Sequence, residues 1–266
     1  MKQRVISAII ALMIFIPIFL IGGLVYDIGI IILSILGLRE FLKIREEKKE
    51  FPVFVSFISY VLLILIVATG ISTKEMIFTI DFRIIAALIL VFLLPTVLYH
   101  DRKLYSIVDA FYLIGGVFFL GTSFSLFIIY RNISLLLILY LFIITIMTDT
   151  YAYIIGRLIG KHKMLESISP NKTWEGMISG TLFGTFLGSL FYISVISSTK
   201  NIFVVVLVSL FLSILGQFGD LAFSAIKRYY GKKDFSNIMP GHGGILDRFD
   251  SIIFVVLGFL FFTSII

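Results

Sequence analysis

Cysteine is absent from the 266 residues, which excludes disulfides and thiol chemistry. Charge is also scarce: 14% of the chain is charged and 59% is apolar. Ordinary soluble domains are about 25% charged and about 45–50% apolar, so an ordinary soluble protein is excluded as well. A mean hydropathy of +1.11 says the same. Internal repeats, low-complexity tracts and long linkers are missing. No polar stretch is long enough to build a second core. These absences predict one transmembrane domain over 1–266, with membrane helices in 1–130, and helices and polar loops carrying the motifs in 131–266.

What is present is a series of apolar runs. A spanning helix needs roughly 20 mostly apolar residues. The runs predict an all-α polytopic integral membrane protein with about nine spans, near 5–21, 24–38, 53–71, 84–99, 106–128, 133–155, 175–197, 201–226 and 250–266. The first two would form a hairpin broken at Gly22–Gly23. Lys2 and Arg4 give the first run a basic flank, as in a signal peptide. No small-residue cleavage site follows, so it reads as an anchor. The basic residues test the count. With the N-terminus cytoplasmic, only Lys74, Arg83, Arg131 and Lys200 of the 22 Lys and Arg fall outside. That bias supports nine spans, with the C-terminus on the opposite side and the motif-rich loops facing the cytoplasm. The net charge of +6 fits loops beside anionic lipid first and an anionic substrate second; nucleic acid is not expected.

The charge that does occur is concentrated. Ser224–Asp250 holds eight charged residues in 27, together with Pro240, Gly241, His242, Gly243 and Gly244. Such an island between apolar runs is a functional site by default. Asp220, Ser224 and Lys227 are spaced to share one helical face, and Asp247 and Asp250 share another. Carboxylates of this kind suit a hard cation such as magnesium, completed by substrate phosphates and water. Lys227, Arg228, Lys233 and Arg248 are interleaved with them and suit phosphate oxygens. Gly243 and Gly244 would let backbone approach a ligand or simply form a tight turn. His242 would contact phosphate or hold the loop.

A second cluster lies upstream. Asp149, Tyr153 and Arg157 line one helical face, and Gly156 and Gly160 carry a close-packing spacing. In SPNKTWEG, Asn171 or Thr173 would cap the next helix, which holds Lys172 near its N-terminus. Arg39–Glu50 reads as the solvated end of a helix. Asp27 reads as solvated at the outer face, and Asp109 is left without a role. On the residues alone, an enzyme acting on a lipid phosphate with a nucleotide fits, and so does a transporter of an anionic solute. Charge gathered at one interface, with no inverted repeat, favours the enzyme.

The island closely resembles the signature of the phosphatidate cytidylyltransferase (CDP-diacylglycerol synthase) family: Ser224, Lys227, Arg228, Lys233, Asp234, Pro240, His242, Gly243, Gly244, Asp247, Arg248 and Asp250 fall on its fixed positions. Met239 departs from the usual Leu or Ile. The blocks at 149–163 and 168–176 also look like that family. The resemblance implies transfer of the cytidylyl group of CTP to phosphatidate, giving CDP-diacylglycerol and pyrophosphate for phospholipid synthesis. It implies Mg2+ on Asp220 and Asp247, with room for a second metal or a monovalent cation. Asp250 would assist these. Lys172, Asp149, Arg157, Ser224, His242, Gly243 and Gly244 would bind substrate. It further implies a homodimer in the lipid bilayer, in the inner membrane if bacterial. Relatives acting on other lipids, such as a polyprenol or phytol kinase or another lipid cytidylyltransferase, are the alternative.

Overall fold

The computed structural model describes residues 13, 15–46, 49–72, 82–99, 101, 103–239, 241 and 243–266. It is almost wholly helical. Five described helical segments are long and apolar enough to cross a membrane: Val53–Ile71, Ile107–Ile133, Leu135–Ile159, Trp174–Ile196 and Ile202–Tyr229. Length and composition therefore do not reproduce the expected nine. Phe82–Leu98 is apolar but only 17 residues long. Gly23–Glu46 ends in a charged stretch, Leu246–Phe259 has only 14 residues, and most of 5–21 lies outside the described residues.

The chain divides into two compact units: 1–132 with 234–246, and 133–233 with 247–266. In the first, the helices are α1 (Gly23–Glu46), α2 (Val53–Ser72), α3 (Phe82–Leu98) and α4 (Ile107–Ile133). The expected break before α1 is there. Gly22 and Gly23 adopt φ of 69° and 54°, a region other residues rarely enter. The Gly22 turn is also tight for a second reason: a Cβ there would run into the Arg131 guanidinium. Arg131 donates to the Phe19 and Leu20 carbonyls.

Two acids of this unit were misjudged from the sequence, and a third, left open there, finds its role here. Asp27 is buried and accepts from the Asn132 amide at 3.3 Å. Asp109 is fully buried, with both carboxylate oxygens taken by Arg45, Lys49 and Ser106. Its role is to anchor the end of α1 to the start of α4. The Arg39–Glu50 segment is not simply a solvated helix end. Glu40 is 1% exposed. Its Oε1 accepts from the Ser236 hydroxyl at 2.6 Å and from the Ile245 amide at 2.9 Å; its Oε2 accepts from the Leu246 amide at 2.9 Å. A buried carboxylate is tolerated when donors satisfy it in this way. Periodicity hid this, because Glu40 sits in a run of charges that looks solvent-directed.

In the second unit, α5 (Leu135–Ile159) leads into a short antiparallel hairpin, β1 (Lys163–Leu165) and β2 (Ser169–Thr173). No apolar pattern announced this hairpin. Then come α6 (Trp174–Phe191), α7 (Ile202–Tyr229) and α8 (Leu246–Phe259). Small residues draw α5 and α6 together. A Cβ on Gly180 would lie 2.6 Å from the Thr148 carbonyl, and one on Gly176 would lie 2.7 Å from that of Ala152. Gly156 and Gly160 likewise face the Thr173 side chain. Helices that cannot rely on a hydrophobic drive in lipid associate through such close backbone packing.

Candidate active site

The polar groups of the second unit are placed by three local devices. The first is a cap. Thr173 Oγ1 accepts from the Gly176 amide at 3.2 Å and starts α6, so Thr173, not Asn171, fills that role. Glu175, in the first turn, accepts from the His162 backbone and pairs with its ring Nδ1 at 2.6 Å, which ties the hairpin to the helix. Lys172, last but one in β2, is thereby aimed at α7. Its Nζ stands 2.7 Å from Asp220 Oδ2 and 3.4 Å from the Gln217 carbonyl.

The second device ends α7. Gly231 takes φ of 71°, its amide donates to the Arg228 carbonyl, and the Lys232 amide donates to that of Lys227. This is the Schellman arrangement that terminates helices at glycine. It fixes Lys227 and Arg228 in the last turn, where the helix dipole favours cations. Arg228 then donates to the Ile168 carbonyl of the hairpin turn at 3.2 Å and to the Lys232 carbonyl at 2.7 Å.

The third device is a pair of glycines on α7. A Cβ on Gly216 would press on Val255, and one on Gly219 would lie 2.7 Å from the Asp250 carbonyl and 2.9 Å from Phe254. The missing side chains let α8 lie against α7 at the level of Asp220. Sequence reading passed over Gly216 and Gly219, since isolated helix glycines give no signal until the partner helix is known.

Together these put four acids and three bases in one unit. Ser224 donates to Asp220 Oδ1 at 3.3 Å, so both oxygens of Asp220 are engaged. Lys227 Nζ, largely buried, donates to Asp247 Oδ1 at 2.7 Å. Asp149 receives a hydrogen bond from the Ser251 side chain, and Asp149, Asp220 and Asp250 are close enough for mutual repulsion. Lys172 offsets the charge of Asp149, and Lys227 that of Asp250. Asp149 and about a third of the Asp220 side chain are nonetheless left uncovered by the protein. Arg157 is exposed and donates to Tyr153 along its own face. Lys233 and Arg248 are exposed too.

The glycine-rich turn belongs to the first unit. Met239 and Gly243 bridge, with the Met239 amide donating to the Gly243 carbonyl at 3.0 Å. Gly241 and Gly243 have φ of 79° and 84°, so a tight turn accounts for both. Gly244 serves close approach instead: its Cβ would lie 2.5 Å from both Glu40 oxygens. Pro240 and His242 lie outside the described residues.

Among the described residues, no three His, Cys, Asp or Glu side chains stand together as a ready metal cage. The donor set still fits a divalent cation of the magnesium type. Such ions take one or two carboxylates and complete their shell with substrate phosphates and water. Asp149, Asp220 and Asp250 lie near enough to repel one another, and Lys172 and Lys227 offset part of that charge.

Carboxylates with lysines beside them, in a chain of long apolar helices, fit a class of membrane enzyme that handles phosphates. The comparison with known proteins narrows this. The model of the cytidylyltransferase family matches residues 2–266, and the chain belongs to that family. It is 40% identical over 256 residues to the phosphatidate cytidylyltransferase of Staphylococcus haemolyticus (strain JCSC1435), covering 96% of each chain. The proteins of the same name from Staphylococcus aureus (strain COL) and Staphylococcus epidermidis are 40% identical over 257 residues, again 96% of each.

Proposed function

We propose that the chain is a phosphatidate cytidylyltransferase of a bacterial cytoplasmic membrane. The observation that carries this reading is the end-to-end likeness, at 40% identity, to relatives bearing that name. The pairing of acids with lysines in the second unit supports it.

A phosphate oxygen of phosphatidate attacks the α-phosphorus of CTP. The bond from that phosphorus to the oxygen bridging to the β-phosphorus breaks, and the electron pair leaves with pyrophosphate. The lipid phosphate is already an anion, so no protein nucleophile is needed. The chain's work is positioning and charge stabilisation. Asp220 and Asp247 would hold Mg2+, with Asp149 and Asp250 adding negative charge around it. When bound, the ion supplies Lewis-acid stabilisation of phosphate charge. Lys172 sits where it orients Asp220 and can turn to a phosphate oxygen. Lys227 does the same for Asp247. Arg228, Lys233 and Arg248 provide further positive charge for the triphosphate, and Arg157 and Ser224 line the substrates. We assign the polar loops to the cytoplasmic side and the assembly to a homodimer.

The test is product formation in detergent. Purified protein given CTP and phosphatidate should release pyrophosphate in equal amount to CDP-diacylglycerol. Replacing phosphatidate by a lipid alcohol should stop it. Product from the alcohol instead would point to a lipid kinase.

A further inference from the structure

We infer that Glu40 is a positioning residue for cytidylyl transfer, acting through the start of α8 on Asp247; this rests on the function proposed above. Glu40 contacts no reacting group. Its three hydrogen-bond donors all belong to one segment: the Ser236 hydroxyl, the Ile245 amide and the Leu246 amide. Ile245 and Leu246 are the residues at which α8 begins. The first amides of a helix have no partner inside it, so an outside acceptor decides where the helix starts. A carboxylate there is stabilised by the helix dipole as well.

The geometry is specific. Gly244 leaves room for the carboxylate, since a Cβ would meet both oxygens and Cδ. Gly37, one turn before Glu40 on α1, would touch Leu246 at 3.2 Å if it carried a Cβ. Leu246, the residue at which α8 begins, is thus held from two points of α1. Leu246 is bonded directly to Asp247. A start shifted by one residue would rotate Asp247 and Asp250 by about 100° around the helix axis. The buried ion pair of Lys227 and Asp247 at 2.7 Å cannot absorb a turn of that size.

The experiment uses full-length enzyme in detergent and two variants, Glu40→Gln and Ser236→Ala. Glu40→Gln places an NH2 group against amides that need an acceptor; Ser236→Ala removes one donor and leaves the rest. Hydrogen exchange across 236–246, thermal midpoint, kcat and the KM for CTP are measured on each. For Glu40→Gln, exchange should quicken across 243–247, and kcat should fall at least about tenfold while KM for CTP changes much less, because a small misplacement of a reacting constellation is costly. Ser236→Ala should give the same pattern more weakly. Wild-type kcat per folded molecule in both variants would overturn the inference. So would a loss that tracks only the unfolded fraction. Should Glu40→Gln not fold, Ser236→Ala alone decides, by the same two readouts. An inactive wild type would instead sink the cytidylyltransferase reading, and would be seen before any variant is made.

Discussion

Lys172 Nζ and Asp220 Oδ2 stand 2.7 Å apart although 48 positions separate them in the chain, one on a short strand and the other in the second half of a long apolar helix. The strand exists to make this meeting. It delivers a long cationic side chain across the membrane-edge end of α7, and the Thr173 cap next to it fixes the direction.

Breaking that pair should separate rate from folding. Asp220→Asn and Lys172→Ala should each reduce kcat by about a hundredfold or more, the scale of losing a preorganised charge. Both side chains are about a quarter to a third exposed, so the folded protein should tolerate the change. Turnover assays beside thermal melts in detergent check it. Near-normal turnover of Asp220→Asn at saturating magnesium would remove Asp220 from the metal assignment.

Gly219 makes a different claim. Its Ala variant forces a methyl against the Asp250 carbonyl, 2.7 Å away. Overpacking of this kind costs about 1–3 kcal/mol, and it should also slow turnover by displacing Asp250. Gly115→Ala, where a Cβ meets nothing within 4 Å, is the control and should leave both unchanged.

Asp109 should matter for stability alone. Removing one side of a buried, fully paired charge costs about 3–5 kcal/mol. Asp109→Asn, which leaves Arg45 and Lys49 without their partner carboxylate, should lower the thermal midpoint clearly while folded molecules keep their kcat.

Orientation can be read cleanly because the chain has no cysteine of its own. Lys163→Cys and Lys200→Cys are single-site probes on opposite predicted sides. In intact bacterial cells, a membrane-impermeant maleimide should label Lys200→Cys and spare Lys163→Cys. Labelling of both, or the reverse, would contradict the cytoplasmic placement of the hairpin.

Much of this was legible in the sequence, for physical reasons. Apolar runs and the bias of basic residues gave a helical membrane protein, because lipid demands both. The break at Gly22–Gly23 and the clusters around Asp220 and Asp247 stood out, since charge and glycine are rare in such a chain. The hairpin at Lys163–Thr173 did not, being too short and polar to show a period. Glu40 and Asp27 were misread, and Asp109 was left without a role, because a charged residue at the end of an apolar run looks solvated until its partner, 60 or more positions away, is seen. Gly219 was missed for the same reason: its meaning lies in Asp250. The count of nine spans is not reproduced by length and composition, because among the described residues runs such as 250–266 fall in shorter helices.

The measurement closest to the central claim is pyrophosphate release by the purified protein with CTP and phosphatidate, before and after chelation of divalent cations and with magnesium restored. The account predicts release that requires both substrates, stops on chelation and returns with magnesium. Release without phosphatidate, release untouched by chelation, or none from folded protein with both substrates and magnesium would contradict it.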